Sequence, residues 1–462
     1  MHRPAIGALT RMSLGIASLA LLCAPPSLVA QPAGSEFRVN ATTTNAQSQP
    51  AVASDSTGNF VVVWTSYGQD GAYEGVYGQR YGSAGVPVGP EFRVNTGTTG
   101  PQRYPAVSSD SNGNFVVVWA SGNYAVVFGQ RYSSAGAPLG SEFRVNASGS
   151  GRYPAVASDS TGDFVVVWQN GAGYGIHGLR FSSTGAPLGA GFRVDAASTD
   201  SLLAPKVASD SAGNFVVVWT DNGRDGYANG VFGQRFGSTG APLGSEFQVN
   251  SFTTGSQLRP SVASDASGNF VVVWEDSARS GIFGQRYGSN GAPIGSEFRL
   301  DVGTTSRGRV SVASDALGNF VATWDFVESG GQNEGVFGRL YGSAGAPLGP
   351  GFHANSYTST NEISPAVSSS STGKFVVAWT RQSDGSSYGV FGQRYAGSTC
   401  AVGDANWDGA VNVGDVFYLI NTLFAGGPAP VCSADVNADT KVDVSDVFYL
   451  INFLFAGGQP PQ

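Results

Sequence analysis

Two short stretches near the C-terminus place oxygen-bearing side chains at regular intervals. The second begins 31 residues after the first, and each carries Asp or Asn at its first, third, fifth, ninth and twelfth positions. With a backbone carbonyl at the seventh position, such a loop surrounds a hard cation that prefers several oxygen ligands, as Ca²⁺ does. The predicted ligands of two Ca²⁺ ions are Asp404, Asn406, Asp408, Ala410 (carbonyl), Asn412 and Asp415, and Asp435, Asn437, Asp439, Lys441 (carbonyl), Asp443 and Asp446.

Apolar residues follow each loop at the spacing of an amphipathic helix. They are Val416, Leu419, Ile420, Leu423 and Phe424 after the first loop, and Val447, Leu450, Ile451, Leu454 and Phe455 after the second. Gly426 and Gly457 mark the predicted helix ends. We expect the two stripes to face each other in a small core and to fold together with calcium, because crowded carboxylates without an ion oppose that core. An acidic linker, the alternative, would not repeat both ligands and apolar positions.

The two loop-helix segments resemble type I dockerin repeats, including Asp rather than Glu at the twelfth position, in Asp415 and Asp446. The resemblance implies one calcium ion in each loop and a pair of helices that docks on a cohesin-like partner in an extracellular complex. Two features depart from that pattern. Thr440 replaces the glycine usual at the sixth position of the second loop, and Val413-Gly414 and Val444-Ser445 replace a more polar pair that often contacts cohesin.

A much longer repetitive region precedes this module. The motif Phe-Val-Val-Val-Trp, with small variations, occurs seven times, and its tryptophans are 55, 49, 51, 55, 50 and 55 residues apart. A period near fifty indicates a propeller or another repeat array. The motif lacks the alternation of a half-exposed strand, so both of its faces must be covered. Each unit of about 52 residues contains four predicted strands, so the sequence predicts a seven-bladed β-propeller in a mainly β chain. The strands of the first unit are near 36–40, 50–54, 60–65 and 75–81.

The ends of the array predict how the propeller closes. The region opens with a Glu-Phe-Arg-Val-Asn segment at 36–40, and no such segment follows Tyr395. The last blade therefore lacks an outer strand, which the first segment can supply. Closure of this kind leaves no exposed sheet edge.

One face of the propeller is predicted to carry the variable loops. The turns that begin at Asp55 and its equivalents have one length, whereas the loops after each tryptophan and between units vary. That face is the expected surface for a carbohydrate or protein ligand. Its tyrosines are available to stack on sugars or peptides or to pack between blades, and they are Tyr67, Tyr73, Tyr104, Tyr153, Tyr227 and Tyr388.

The sequence favours a binding protein over an enzyme. Beyond the first thirty residues the only histidines are His177 and His353, which form no triad or zinc cluster. Loop carboxylates keep a glycoside hydrolase or polysaccharide lyase as the alternative, and they are Glu74, Asp221, Asp225, Glu275, Asp276, Asp325, Glu328 and Glu334. The Asp55-type residues are predicted to shape turns. The recurring arginines, such as Arg80, are predicted to pair across strands with glutamates such as Glu91.

The N-terminal residues 1–30 have the basic start, apolar run and small-residue end of a secretory signal peptide. No later stretch is apolar enough to predict membrane insertion. The formal net charge is -8, and from Cys400 onward there are seven Asp and one Lys. The nearly neutral repeats have no basic patch for nucleic acid. Cys400 and Cys432 precede the two loops, which suggests a disulfide in an exported chain.

The sequence thus predicts a signal peptide (1–30), a seven-bladed β-propeller (31–396) and a small α-helical, dockerin-like calcium-binding module (397–462). We expect a secreted or cell-surface protein whose propeller binds a ligand and whose module docks in an extracellular assembly. The alternative is a propeller enzyme acting on polysaccharide that carries a dockerin. A third hypothesis is that the module docks on its own chain and has a structural role.

Overall fold

The computed structural model describes residues 30–123, 126–147, 149–171, 175–196, 202–301, 308–327, 334–356, 360–384, 387–396, 403, 405, 411–425, 434–439 and 441–461. Its strands form seven four-stranded antiparallel sheets, and two helices follow them. The predicted fold, a seven-bladed β-propeller followed by a small helical module, is confirmed.

The strands follow one another in the order of the blades. Strand β1 is Phe37–Arg38. Blade 1 contains β2 (Gln47–Ser54), β3 (Phe60–Tyr67), β4 (Glu74–Tyr81) and β5 (Phe92–Arg93). Blade 2 contains β6 (Gln102–Ser109), β7 (Phe115–Ser121), β8 (Val126–Tyr132) and β9 (Phe143–Arg144). Blade 3 contains β10 (Gly151–Ser158), β11 (Phe164–Asn170), β12 (Ile176–Phe181) and β13 (Phe192–Arg193). Blade 4 contains β14 (Leu202–Ser209), β15 (Phe215–Asn222), β16 (Asn229–Phe236) and β17 (Phe247–Gln248).

The remaining blades repeat this order. Blade 5 contains β18 (Gln257–Ser264), β19 (Phe270–Asp276), β20 (Gly281–Tyr287) and β21 (Pro293–Arg299). Blade 6 contains β22 (Val310–Ser314), β23 (Phe320–Val327), β24 (Glu334–Tyr341) and β25 (Phe352–His353). Blade 7 contains β26 (Glu362–Ser369), β27 (Phe375–Asp384) and β28 (Ser387–Tyr395), and β1 completes its sheet.

The second strand of each blade is buried on both faces, as its uniformly apolar sequence requires. In β3, Val62 and Trp64 pack against blade 7, whereas Val61 and Val63 pack against blade 2. Alternate side chains of a strand point to opposite sides of the sheet, so one strand contributes to two inter-blade cores. The first strands of neighbouring blades contact one another in a closed ring around the central channel.

The N-terminal strand closes the propeller as predicted. In the antiparallel pairing of β1 with β28, Phe37 lies opposite Gly392. The Phe37 ring centroid is 5.2 Å from that of Tyr81 and 6.3 Å from that of Phe60, both in blade 1. The N-terminal strand therefore joins the last blade to the first.

The turn between the first and second strands is organised by its aspartate. In blade 1, Asp55 Oδ1 accepts hydrogen bonds from the backbone N–H groups of Thr57 and Asn59, and Asp55 Oδ2 accepts one from the Asn59 side chain. Ser56 Oγ donates to the carbonyl of Ser111 in the equivalent turn of blade 2. These aspartates shape turns, as the sequence predicted, and the turns are linked from blade to blade.

Six of the seven first strands contain a bulge, and the exception is β22 of blade 6. In blade 1 the strand begins at Gln47 rather than Pro50, and its pairing with β3 shifts register between Ser48 and Ala51. Gln49, within the bulge, has a φ of 58°. A bulge of this kind changes the direction in which the neighbouring side chains point.

Two 13-residue helices form the C-terminal module, α1 (Val413–Ala425) and α2 (Val444–Ala456). Asp443 caps the start of α2, and Gly457 ends it with a left-handed φ of 70°. The predicted stop at Gly426 lies outside the described residues. Among the described residues, no helix combines the length and apolar character needed to cross a membrane.

Candidate functional site

The second loop folds around its own side-chain oxygens. Asp439 N–H donates to Asp435 Oδ1 and to Asn437 Oδ1, each at 3.0 Å. Lys441 N–H donates to Asp439 Oδ1, also at 3.0 Å. Local side-chain to backbone hydrogen bonds of this kind hold acceptor oxygens in fixed directions along a turn. The first, third and fifth positions of the predicted ligand set are therefore already organised in one loop.

Asp446, the twelfth loop residue, is fully buried at the start of α2. Its Oδ1 accepts a hydrogen bond from Val436 N–H at 2.8 Å, and its Oδ2 accepts one from Asp443 N–H at 2.9 Å. The carboxylate thus connects the beginning of the loop to its end. The N-terminus of a helix favours negative charge, so this position suits an ionised Asp.

Asp443, the ninth residue, is held in its ionised form. Hydrogen bonds from the Ser445 hydroxyl and backbone N–H lower the pKa of Asp443 below its ordinary value. Deprotonated carboxylates are the form that binds a cation. Ser445 therefore supports the loop, although the sequence predicted only that it replaces a more polar residue.

The end of the first loop has the same arrangement. Asp415 is fully buried, and its Oδ2 accepts a hydrogen bond from Asn412 N–H at 2.8 Å. Asn412 Oδ1 in turn accepts one from Gly414 N–H at 2.6 Å. The other predicted ligands of this loop, Asp404, Asn406, Asp408 and Ala410, lie outside the described residues, as do Cys400 and Cys432.

The donor set of the second loop fits calcium in its chemistry. It offers four carboxylates, an amide oxygen and the Lys441 carbonyl, all of which are hard oxygen ligands. Among the described residues, no three His, Cys, Asp or Glu side chains converge as a compact metal cluster. The support for calcium is therefore the donor set and the hydrogen bonds that orient it.

The core between the helices differs from the predicted one. Val416 and Leu419 of α1 pack with Val447 and Leu450 of α2, and Val436 of the second loop completes the cluster. The prediction was wrong for Ile420, Phe424, Ile451 and Phe455, which are exposed rather than packed in the core. A core between two short helices needs only a narrow stripe on each, so part of the apolar surface stays outside.

The outward apolar residues form one stripe on each helix, which we call the α1 stripe and the α2 stripe. Their spacing of four, three and four residues places them on one helix face. The α1 stripe is Val413, Phe417, Ile420 and Phe424, and the α2 stripe is Val444, Phe448, Ile451 and Phe455. The phenylalanines are 65 to 69% exposed. Apolar patches of this kind on a small domain indicate an interaction surface.

On the variable-loop face of the propeller, the predicted tyrosines have two roles. Tyr67, Tyr73 and Tyr227 are exposed. Tyr104 and Tyr153 pack edge to face across blades 2 and 3, with ring centroids 4.7 Å apart. Both hypotheses from the sequence, an accessible aromatic surface and packing between blades, hold for different residues.

The carboxylates proposed for an enzyme are engaged within the propeller. Glu74 pairs with Arg103, and Glu275 pairs with Arg259. Further ion pairs join Asp221 to Arg224 and Asp276 to Arg279. Two other aspartates accept backbone hydrogen bonds: Asp225 from Tyr227 N–H, and Asp325 from the N–H groups of Arg309 and Ser364. Glu328 and the side chain of Glu334 lie outside the described part of the chain.

Neither histidine joins a catalytic group among the described residues. His177 Nε2 is 3.3 Å from the Asn170 side-chain nitrogen, and burial lowers the pKa of His177. The His353 ring lies 4.0 Å from the Phe337 ring between their centroids. Both are strand residues packed on their neighbours.

The predicted Arg–Glu pairing across strands was wrong. Arg80 donates to the carbonyl of Ala135 in the next blade, and Arg394 of blade 7 donates to those of Ser83 and Ala84 in blade 1. Glu91, the predicted partner, accepts Ala41 N–H and the Gln69 side chain instead. The periodic sequence indicated which residues recur, but not that they connect successive blades.

Comparison with known proteins supports both parts of the chain. Residues 402–455 match the family model of the dockerin type I domain, which confirms the resemblance. Dockerin domains bind calcium and cohesins and occur in extracellular assemblies. No curated protein matches this sequence.

Among solved structures, the propeller is similar to a protein of unknown function from Dyadobacter fermentans, with a TM-score of 0.51 and 8% identity. That match covers 80% of this chain and 99% of the other. The β-propeller domain of the trilobed protease from Pyrococcus furiosus gives a TM-score of 0.46 and 8% identity, over 78% and 94% of the two chains. The first likeness shows the fold alone.

Proposed function

We propose that this protein is exported and anchored in an extracellular assembly by its dockerin module, and that its propeller binds a ligand there. In this proposal residues 1–30 are the signal peptide, 31–396 the propeller and 397–462 the docking module, with one Ca²⁺ ion in each loop. The α1 and α2 stripes carry the proposal, because both helices present Val, Phe, Ile and Phe in that order and at the same spacing.

Calcium supplies the charge balance that the module needs. Each loop ends in a fully buried aspartate at the start of a helix. A bound ion offsets the repulsion among the remaining loop carboxylates and so holds the helices in place. The partner that fits is a cohesin domain with an apolar face of matching size.

Binding is favoured over catalysis for the propeller. A glycoside hydrolase uses two carboxyl groups that flank the scissile bond. The described candidates instead contact arginines or backbone N–H groups, which keeps them within the framework.

The docking role is tested by capture of the full-length protein, with calcium, on immobilised cohesin domains encoded in the same genome. A Phe417→Ala and Phe448→Ala double variant truncates both stripes, and it is expected to bind about a thousandfold more weakly, because truncation of each interface aromatic costs about 2 kcal/mol or more and the two losses add. Leu317→Ala, at a residue 71% exposed on a propeller turn, is the control and should bind normally. Capture that is independent of calcium or of both phenylalanines would contradict the proposal.

A further inference from the structure

The bulges of six first strands, together with the residue just before β22 in blade 6, place a ring of side chains at one end of the central channel. One residue per blade occupies this position, at the end of the strand nearest the variable loops. We call these residues the bulge ring: Gln49, Tyr104, Tyr153, Ala204, Arg259, Arg309 and Ser364. Six have a φ between 47° and 59° and precede a proline, and Arg309 is the exception.

This left-handed backbone is unfavourable for residues other than glycine. It costs on the order of 1–3 kcal/mol at each position, and such strain is concentrated at ligand-binding and catalytic sites. The following proline increases the cost, because it restricts the backbone of the residue before it. Six repetitions of a strained conformation at the channel mouth indicate that the direction of these side chains matters.

Members of the bulge ring contact their counterparts in the neighbouring blades. Gln49 Oε1 accepts the backbone N–H of Tyr104 at 3.4 Å, and Tyr104 packs against Tyr153. Between blades 6 and 7, the Arg309 side chain donates to Ser364 Oγ. The types vary among Gln, Tyr, Ala, Arg and Ser, although the flanking strand sequence is nearly constant. Variation at one aligned position of a constant framework is typical of a binding surface.

Lys206 departs from the repeated sequence at a position next to the bulge ring. It lies two residues after Ala204 in β14, opposite Val218, and the same position in the other six blades holds only Ala or Ser. Lys206 remains accessible to solvent, although the channel walls surround it. Confinement in the channel lowers the pKa of Lys206, and the charge of Arg309 lowers it further.

Two cations therefore lie at the same end of the channel, two blades apart. Blades 4 and 6 carry Lys206 and Arg309, and β18 of blade 5 lies between their strands. Arg103 and Arg259, by contrast, each have a glutamate partner. Within the described residues, neither the Lys206 ammonium nor the Arg309 guanidinium forms an ion pair, although the Asp325 carboxylate accepts the backbone N–H of Arg309. Two neighbouring positive charges repel each other, and a bound anion relieves that repulsion.

We propose that the bulge ring and Lys206 form a binding site for an acidic oligosaccharide, whose carboxylate lies between Lys206 and Arg309 and whose sugar rings pack on Tyr104 and Tyr153. A few placed charges beside aromatic side chains are the usual composition of a small-molecule site. The exposed Tyr67 and Tyr227 in nearby loops extend the aromatic surface for further sugar units. This inference rests on the proposed role of the propeller as a binding domain.

Calorimetry on the full-length protein with calcium tests the site, with trigalacturonate as the acidic probe. Neutral galactotriose, which lacks the carboxylates, tests whether binding needs them. A tri-glutamate peptide, which has carboxylates but no sugar rings, tests whether binding needs a sugar. Lys206→Ala installs the residue that four other blades carry at this position, so the fold should persist, and Lys206→Met removes the charge while keeping most of the side-chain length. Lys374→Ala, an exposed lysine in a turn on the opposite face, is the matched control.

Trigalacturonate is expected to bind the wild type and the Lys374→Ala variant alike. Both Lys206 variants should bind it at least about tenfold more weakly, because a charge-assisted contact is lost. The wild type should bind galactotriose no more tightly than the Lys206 variants bind trigalacturonate. Equal binding of trigalacturonate by wild type and the Lys206 variants, or no binding at all, would overturn the inference. Equally tight binding of tri-glutamate would overturn the sugar assignment.

Cohesin capture measured on the same samples separates this inference from the docking proposal. The Lys206 variants should be captured like the wild type, because their module is unchanged. Failure of the wild type to bind trigalacturonate, with capture intact, would overturn the channel site alone. Failure of the wild type to be captured, with trigalacturonate still bound, would overturn the docking role alone.

Discussion

Truncation of Phe37 should release the strand that closes the propeller. The Phe37 ring covers Gly392 on the paired strand and contacts Phe60 and Tyr81 of blade 1. Truncating a buried Phe to Ala costs about 3–5 kcal/mol, and since Phe37 is only partly buried we expect about 2 kcal/mol. A loss of about 1.4 kcal/mol corresponds to a factor of ten, so the closing strand should open about thirtyfold more often.

Hydrogen exchange reports this opening directly. Val39 N–H donates to the Val390 carbonyl at 2.8 Å, so exchange of that amide follows separation of the two strands. Phe92→Ala is the matched control, because Phe92 makes the same contacts within blades 1 and 2 without closing the ring. Exchange of the Val39 amide should accelerate in Phe37→Ala and not in Phe92→Ala. Unchanged exchange in Phe37→Ala, or equal acceleration in both variants, would refute the closure argument.

Three other predictions concern stability. Gly129→Ala should destabilise the propeller by about 1–3 kcal/mol in urea unfolding, because the new Cβ would lie 2.6 Å from Phe143 Cζ, whereas Gly97→Ala, with open space around it, should be nearly neutral. Burial raises the pKa of Glu362 from 4.5 to about 7 against the opposing hydrogen bond from Arg381, so the folded state binds a proton more tightly than the unfolded state. Protonated Glu362 therefore contributes its full stability below about pH 4.5, and this contribution is lost as the pH rises through 7. The Glu362→Gln variant should show a flatter dependence of the unfolding free energy on pH over that range. A pH dependence equal to that of the wild type would contradict the raised pKa of Glu362. Asp443→Ala removes the N-cap of α2 and should cost the module about 1 kcal/mol, seen as faster amide exchange in its first turn, whereas Asp443→Asn should cost less.

Sequence periodicity was sufficient to predict the propeller, because its central strands are apolar at every position. Val61 to Trp64 must be covered on both faces, and only neighbouring blades provide that cover. The unpaired Glu-Phe-Arg-Val-Asn segment at the start likewise predicted closure. The bulges were missed, since a left-handed residue before proline gives no hydrophobic signal.

The calcium loops were predictable from spacing, but the helix faces were not. Each helix carries more apolar residues than one contact can bury, so periodicity could not decide between Leu419, which is buried, and Phe424, which is exposed. The number of apolar residues on each helix, which exceeds what the core between the helices can bury, was the sequence feature that indicated a second, exposed apolar surface. Lys206, which belongs to the proposed channel site, could also be found from the sequence. When the first strands are aligned, it is the one charged side chain at a position that otherwise holds Ala or Ser.

The claim that the C-terminal module holds calcium is tested most directly by titrating the EDTA-treated full-length protein with Ca²⁺ in a calorimeter. We predict two ions for the wild type, one for Asp435→Ala, and none for Asp404→Ala with Asp435→Ala, while Asp225→Ala in a propeller loop should keep both. Hydrogen exchange at Val436, whose amide is bound by Asp446, should slow as the second loop fills. Two ions retained by the double variant, or no calcium uptake by the wild type, would contradict the account.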